Sequence, residues 1–281
     1  MLWENLRCEE FKQAVETCKK VCVIPIGCVE AHGVHLPLGC DTIKAREFCA
    51  RASEISPVCV FPAMYFGEKC GSGEFPGTII FPVPLIWQIL EQSCLEAARN
   101  GFEKILIVSS HGGNTNMLLN FVQHMMDKLD GFVVYHYYQR MATPDMVLAD
   151  VEKYPYLTDD DKAIMQDYVD NKKMDGHGGF VETGCLYDIC PEYVRLDRMD
   201  ALSSESVHRF DGLNRMGIRS PFFWMGDYPN SYAADLHYGL NERIAKAIAA
   251  RTVESTAAAF EYLRNETVSM EYYKEWKAKQ K

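Results

Sequence analysis

Three short stretches of this chain set carboxylates and imidazoles among glycines. The first runs Glu30-Ala31-His32-Gly33 on to Asp41, and the second is Ser110-His111-Gly112-Gly113-Asn114. The third is Gly176-His177-Gly178-Gly179-Phe180-Val181-Glu182-Thr183. Mixed imidazole and carboxylate donors suit Zn²⁺, Mn²⁺ or Fe²⁺ better than Ca²⁺. A carboxylate can bridge two such ions, which lie about 3.5–4 Å apart in two-metal hydrolases. Bound metal lowers the pKa of a water toward ~7 and polarises a carbonyl oxygen, the chemistry of amide hydrolysis. If the three stretches converge, they describe a metal-dependent enzyme.

Each stretch alone also has a plainer reading. Glu30 and His32, two residues apart, cannot bind one metal together from one helix face, but an extended or bent loop allows it. Asp41 follows Pro37 and Gly39, so this loop can fold back. His111 to Asn114 reads equally as a strand-to-helix turn capped by Asn114. Glu182 reads equally as a surface carboxylate. His177, among glycines, has little packing to do.

Residues 21–26, 58–61, 104–108 and 132–138 are short β-branched or continuous apolar runs, the pattern of buried parallel strands. Helical patterns fall between them at 42–53, 84–100 and 117–129; in the last, Met117, Leu118, Phe121, Val122, Met125, Met126 and Leu129 share a face. This alternation predicts an α/β fold, a three-layer α/β/α sandwich with a mainly parallel sheet. Glu30 and His32 then follow the first strand and His111 the third, at the carboxyl ends where such sheets bind ligands. Residues 141–175 are acidic and tyrosine-bearing, either an insertion forming a lid or a solvated surface helix. Residues 240–265 form a long apolar-striped helix for the core or an oligomer contact, and 274–281 a charged, frayed tail. The whole chain, 1–281, reads as one domain.

Composition narrows the class. A chain of 281 residues with 48% hydrophobic content can bury a full core. A net charge of −10 disfavours nucleic acid and acidic membranes as partners and favours a small-molecule substrate. Met1-Leu2-Trp3-Glu4-Asn5 has no basic or apolar signal region, and no apolar run approaches the ~20 residues of a membrane helix. Eleven scattered cysteines without a CxxC pair point to reduced thiols and a cytoplasmic location.

The run from Pro25 through Glu30, His32, His35 and Pro37 to Asp41 resembles the creatininase (creatinine amidohydrolase) family block P-x-G-x-x-E-x-H-G-x-H-L-P-x-x-x-D. Phe75-Pro76-Gly77-Thr78, the His111 stretch and His177-Gly178-Gly179 with Glu182-Thr183 resemble its later blocks, in order, over about residues 15–250. The resemblance implies a sandwich-fold amidohydrolase, usually a homo-hexamer, with two divalent metal ions, Zn²⁺ or Mn²⁺ with Fe²⁺ admissible. By position it implies Glu30, His32, Asp41, His111 and Glu182 as metal ligands, with Asp41 bridging. His177 would move protons to the leaving nitrogen, Glu182 would also belong to the catalytic set, and Gly178 and Gly179 would let backbone amides approach the substrate. His35 is expected to support the ligands without joining them. His124, His136, His208 and His237 match no block, and Asp235 near His237 is a weak supporting candidate.

The chain departs from the pattern at several positions. Gly113 stands where creatininase has a carboxylate, so Glu182 is the fifth ligand by inference. Ser72, Phe180 and Ser109 replace a frequent His, Glu and Asn. No Trp occurs between Trp87 and Trp224, a stretch from which creatininase takes tryptophans to hold its substrate. The expected substrate is therefore a small cyclic amide or a formamide other than creatinine. Creatininase proper and a non-hydrolytic metal-binding relative are the alternatives.

Overall fold

The short apolar runs pair into one four-stranded parallel sheet: β1 (Val21–Ile26), β2 (Cys59–Val60), β3 (Lys104–Ser109) and β4 (Val133–Tyr138), in the order β2-β1-β3-β4. The computed structural model describes residues 1–68, 72–171, 176–233 and 239–280. The helices are α1 (Phe11–Thr17), α2 (Cys40–Ile55), α3 (Val83–Arg99), α4 (Asn114–Met125), α5 (Pro144–Ala149) and α6 (Asp159–Asp170). They continue with α7 (Phe180–Ile189), α8 (Asp211–Arg215), α9 (Phe223–Asp227), α10 (Glu242–Asn265) and α11 (Val268–Lys279).

Alternate strand residues divide between two cores, as the period-two geometry of a strand requires. Val21, Val23, Leu106 and Val108 face one side, where Phe48 of α2, Phe180 of α7 and Ile248 and Phe260 of α10 are buried. Cys22, Ile24, Ile105 and Ile107 face the other, against Ile86 and Leu90 of α3 and Leu118 and Phe121 of α4. Helices thus cover both faces, giving the expected α/β/α layering.

Chain order against strand order positions the site. From β1 the chain steps to β2 on one side, then crosses to β3 on the other. The loops leaving β1 and β3 therefore diverge, and the crevice between their carboxyl ends is the usual ligand position in open parallel sheets. Residues 27–39 and 110–113 are those two loops.

Several sequence expectations need adjustment. The 141–175 segment supplies α5 and α6, and Val147, Tyr154, Leu157, Met165 and Tyr168 are buried against α10 and Phe180. Asp161 ties α6 to the start of α10 through Arg243 Nε, 2.6 Å away. These residues belong to the packed helical layer. The tail remains helical to Lys279, with Tyr273 and Trp276 packed against the second core. Helix α10 carries the expected stripe, with Ile244, Ala247, Ile248, Val253, Ala257, Phe260 and Leu263 all buried.

Gly27 sits where the end of β1 meets the first turn of α2, and a Cβ there would overlap the Thr42 backbone. Backbone has no rotamer by which to yield, so Gly27→Ala must displace the start of α2. A loss of about 1–3 kcal/mol is expected, read as a lowered urea midpoint. An unchanged midpoint would show that the loop relaxes freely.

Candidate metal centre

Asp41 lies in the first turn of α2, and Glu182 in the first turn of α7, where the partial positive charge of a helix N-terminus favours a carboxylate. Glu30 and His32 come from the loop after β1, His111 from the turn after β3, and His177 from the loop before α7. Glu30, His32, Asp41, His111 and Glu182 are all buried, while 17% of the His177 side chain remains exposed.

Two overlapping clusters share Asp41, and a third group joins Glu30, His32 and His177. Cys28, Glu30, Asp41 and His111 form one; His32, Cys40, Asp41 and Glu182 form the other. Asp41 Oδ2 is 2.9 Å from His111 Nδ1, and its other oxygen, Oδ1, is 3.5 Å from His32 Nε2. Glu30 Oε1 lies 3.2 Å from His111 Nδ1, and Glu182 Oε2 lies 3.8 Å from His32 Nε2. One carboxylate thus presents an oxygen to each cluster, the geometry of a bridge.

The histidine tautomers follow from their backbone contacts. His111 Nε2 is 3.1 Å from the Glu68 carbonyl oxygen, and His32 Nδ1 is 3.2 Å from that of Glu30. A carbonyl only accepts, so those nitrogens carry the protons. The opposite nitrogens, His111 Nδ1 and His32 Nε2, then direct lone pairs at carboxylate oxygens. Two acceptors face each other stably only with a cation or an added proton between them. Among the described residues, His32 Nε2 has no hydrogen-bond partner although it is buried. This donor set fits a pair of divalent ions of the Zn²⁺ or Mn²⁺ kind.

Burial raises the carboxyl pKa values, but neighbouring cations prevail. Lys44, His32 and His111 hold Asp41 well below the carboxylate range, and Lys44 with His32 brings Glu182 to about 2. His177, His111 and His32 lower Glu30 in the same sense. Burial opposes charge on His32, yet Cys40 and Asp41 raise it well above the histidine range. Burial, helped by His32, brings His177 down to about 4.

Supporting contacts fix these side chains. The Gly178 amide donates to Glu182 Oε2 at 2.7 Å, so this amide orients a site carboxylate. His35 Nε2 is 3.1 Å from the Gly178 carbonyl and 3.0 Å from Thr183 Oγ1, outside both clusters. Asn114 lies inside α4, where Gly113 is the cap. Its Oδ1 accepts from the Glu68 amide at 2.7 Å, and its Nδ2 donates to the Gly27 carbonyl at 3.3 Å. A Cβ at Gly113 would overlap His111 Nε2, so a carboxylate here would require the His111 ring to shift. Phe180 points into the core, away from the clusters. His124 contacts Glu91 and His208 contacts Asp211, both far from the centre in sequence and contact, while Asp235 and His237 lie outside the described residues.

Several site residues escaped the sequence reading. Lys44, fully buried, places Nζ 3.2 Å from Asp41 Oδ1 and hydrogen-bonds Glu182 Oε1. It shares the buried stripe of α2 with Asp41, Ala45, Phe48 and Ala52, which is the signal that could have revealed it. Cys28 donates to Asp41 Oδ2 at 3.1 Å. Above the clusters is a cavity of about 410 Å³, lined by Glu30, His111 and His177 and walled by Glu68, Asn116, Pro221, Trp224 and Tyr232. The His177 ring stacks on His32 with centroids 3.9 Å apart and meets Tyr232 edge-on at 5.0 Å. No described residue of 141–175 lines this cavity; its aromatic wall comes from 221–232.

The creatininase family model, described as creatinine amidohydrolase, matches residues 4–260. The chain belongs to the creatininase family. Creatinine amidohydrolase of Pseudomonas putida is 24% identical over 203 residues, 69% of this chain and 74% of that protein. Mycofactocin precursor peptide peptidase of Mycobacterium tuberculosis is 33% identical over 110 residues, 36% of this chain and 43% of that one. Among solved structures, a Zn–Zn creatininase variant superposes with a TM-score of 0.69 at 19% identity, covering 94% of this chain and 98% of its own. A Mn creatininase superposes at 0.64 and 19% identity, covering 94% and 99%. Creatininases of this fold thus occur in Zn–Zn and Mn forms, and this family member carries a cluster of potential metal ligands. Among the described residues, no helix is long and apolar enough to cross a membrane.

Cys40 and Asp41 raise the pKa of His32 against the effect of burial, whereas ligation requires neutral imidazole. Metal uptake by this creatininase-family protein should therefore release protons, and affinity should rise with pH up to the raised pKa of His32. Calorimetry of Zn²⁺ binding in buffers of unequal ionisation enthalpy reads this directly. Identical heats in every buffer would mean that His32 is already neutral.

Proposed function

We propose that this protein is a metal-dependent amidohydrolase that cleaves a C–N bond of a small cyclic amide or formamide. The observation that carries the proposal is Asp41, whose two oxygens face two histidine-carboxylate clusters beneath a cavity. A volume of about 410 Å³ lies toward the small end of the ~300–1,000 Å³ range of ligand pockets. Trp224 and Tyr232 offer flat apolar walls to a planar amide.

Glu30, Asp41 and His111 would hold one divalent ion, and His32, Asp41 and Glu182 the other, each Zn²⁺ or Mn²⁺. Bound there, the ions would supply Lewis-acid polarisation of the carbonyl and an acidified water. His177 provides the proton traffic. Its Nε2–H donates to the Ala31 carbonyl at 2.7 Å, which leaves Nδ1 as the basic atom. With a pKa near 4 the ring is neutral at pH 7, so it first accepts a proton and then delivers it to the departing nitrogen. Stacking on His32 and the Ala31 contact hold the ring in place for both steps.

A second reading is hydrolysis at the end of a short peptide, favoured by the 33% identity with the mycofactocin precursor peptide peptidase. Creatinine itself stays within the same chemistry, and a non-hydrolytic metal protein is the rival from another class. The proposal includes a cytoplasmic homo-oligomer, hexameric by family resemblance, working on a small molecule without nucleic acid or membrane.

The test is a panel of cyclic amides, formamides and short peptides, with metal content measured alongside. Asp41→Ala should lose both metal and turnover. His177→Ala should keep metal and lose about 10²–10⁴-fold in kcat. Turnover that survives Asp41→Ala would overturn the proposal, and peptides cleaved in preference to small amides would favour the second reading.

A further inference from the structure

Lys44 has no part in the chemistry above, yet it is fully buried beside the metal clusters. Its ammonium lies 3.2 Å from Asp41 Oδ1 and hydrogen-bonds Glu182 Oε1. Both carboxylates belong to the His32-Cys40-Asp41-Glu182 cluster, and among the described residues the ion pairs of Lys44 are with these two. The position that a second cation would take therefore already faces a fixed positive charge.

We infer that Lys44 is a built-in competitor for the second metal position, so that the two positions load unequally. The inference rests on the metal-centre reading and goes beyond it by saying which position is weak. The Cys28-Glu30-Asp41-His111 position binds firmly. The His32 position binds weakly, because an entering ion must displace Lys44 from the oxygens it needs. Charge balance favours the same order. Glu30, Asp41 and Glu182 bring three negative charges, and Lys44 already offsets part of that charge on the Asp41–Glu182 side. A second divalent ion leaves the buried cluster with excess positive charge, which a low-dielectric interior opposes. Asp41 couples the two positions, since one carboxylate serves both.

The test is Zn²⁺ binding to the chelator-treated full-length protein, read by competition with a chromophoric chelator. The wild type should bind one ion firmly and a second more weakly. Lys44→Met should tighten the second step on the order of 10- to 1,000-fold and leave the first nearly unchanged. Lys44→Arg retains the charge and should leave the second step weak. His32→Ala should remove the weak step alone. Because Lys44→Met leaves Asp41 and Glu182 without their cation, Lys44→Gln serves if the first variant does not fold, and the wild-type isotherm decides in any case. Two equal wild-type sites, or a second step unmoved by neutralising Lys44, would overturn the inference and leave the metal centre standing. No uptake by any variant would overturn the metal-centre reading itself, and the inference with it.

Discussion

Three carboxylates, Glu30, Asp41 and Glu182, are withdrawn from water into one cluster, and the rest of the centre answers to that constraint. Buried like charges repel strongly and lose their hydration, so each must be met by positive charge or by a donor. Helix N-termini face two of them, the Gly178 amide meets Glu182, and Lys44 lies between Asp41 and Glu182. Yet His111 Nδ1 and His32 Nε2 also point at carboxylate oxygens, where a proton or a metal ion must lie between. An arrangement in which acceptors converge on acceptors is organised for cations.

The sheet makes this convergence possible. Reversal of strand order between β1 and β3 opens a crevice at the carboxyl ends, and the loops that leave these two strands carry Glu30, His32 and His111 into it. Helix α2 begins directly beyond the first loop, so Asp41 enters from its first turn. Helix α7 contributes Glu182 from the face that α2 and α10 cover. Hydrogen bonds from Asn114 to the Gly27 carbonyl and from the Glu68 amide to Asn114 lash these loops together, independently of any ion.

The metal floor and the substrate wall come from different parts of the chain. The floor uses residues 28–41, 111 and 177–182, close to the family pattern. The wall uses Glu68, Asn116, Pro221, Trp224 and Tyr232. Phe75 packs on Tyr232 with ring centroids 4.9 Å apart, so the Phe75-Pro76-Gly77-Thr78 element supports the wall. This division leaves the wall side chains of Pro221, Trp224 and Tyr232 outside the clusters of potential metal ligands. The 24% relative and the locally 33% identical peptidase act on different substrates by name, as such a division permits.

By itself the sequence determined the layered α/β fold and the candidate donors. Period-two and helical apolar patterns are local, and burial in a sandwich rewards them wherever the chain leads. Glu30, His32, Asp41, His111, His177 and Glu182 were legible because glycines and prolines mark the loops that hold them. Tertiary structure alone decided what surrounds those donors. Lys44 looks like any lysine on a helix until the buried face of α2 turns it onto Asp41 and Glu182. Trp224 and Tyr232 join His177 across some fifty residues of chain, and Asn114 proved to be a tie between loops instead of a cap. Acidic residues 141–175 read as a lid or a solvated helix because Val147, Met165 and Tyr168 are too widely spaced among charges to announce a buried face. Such pairings depend on distances through space, which spacing along the chain does not encode.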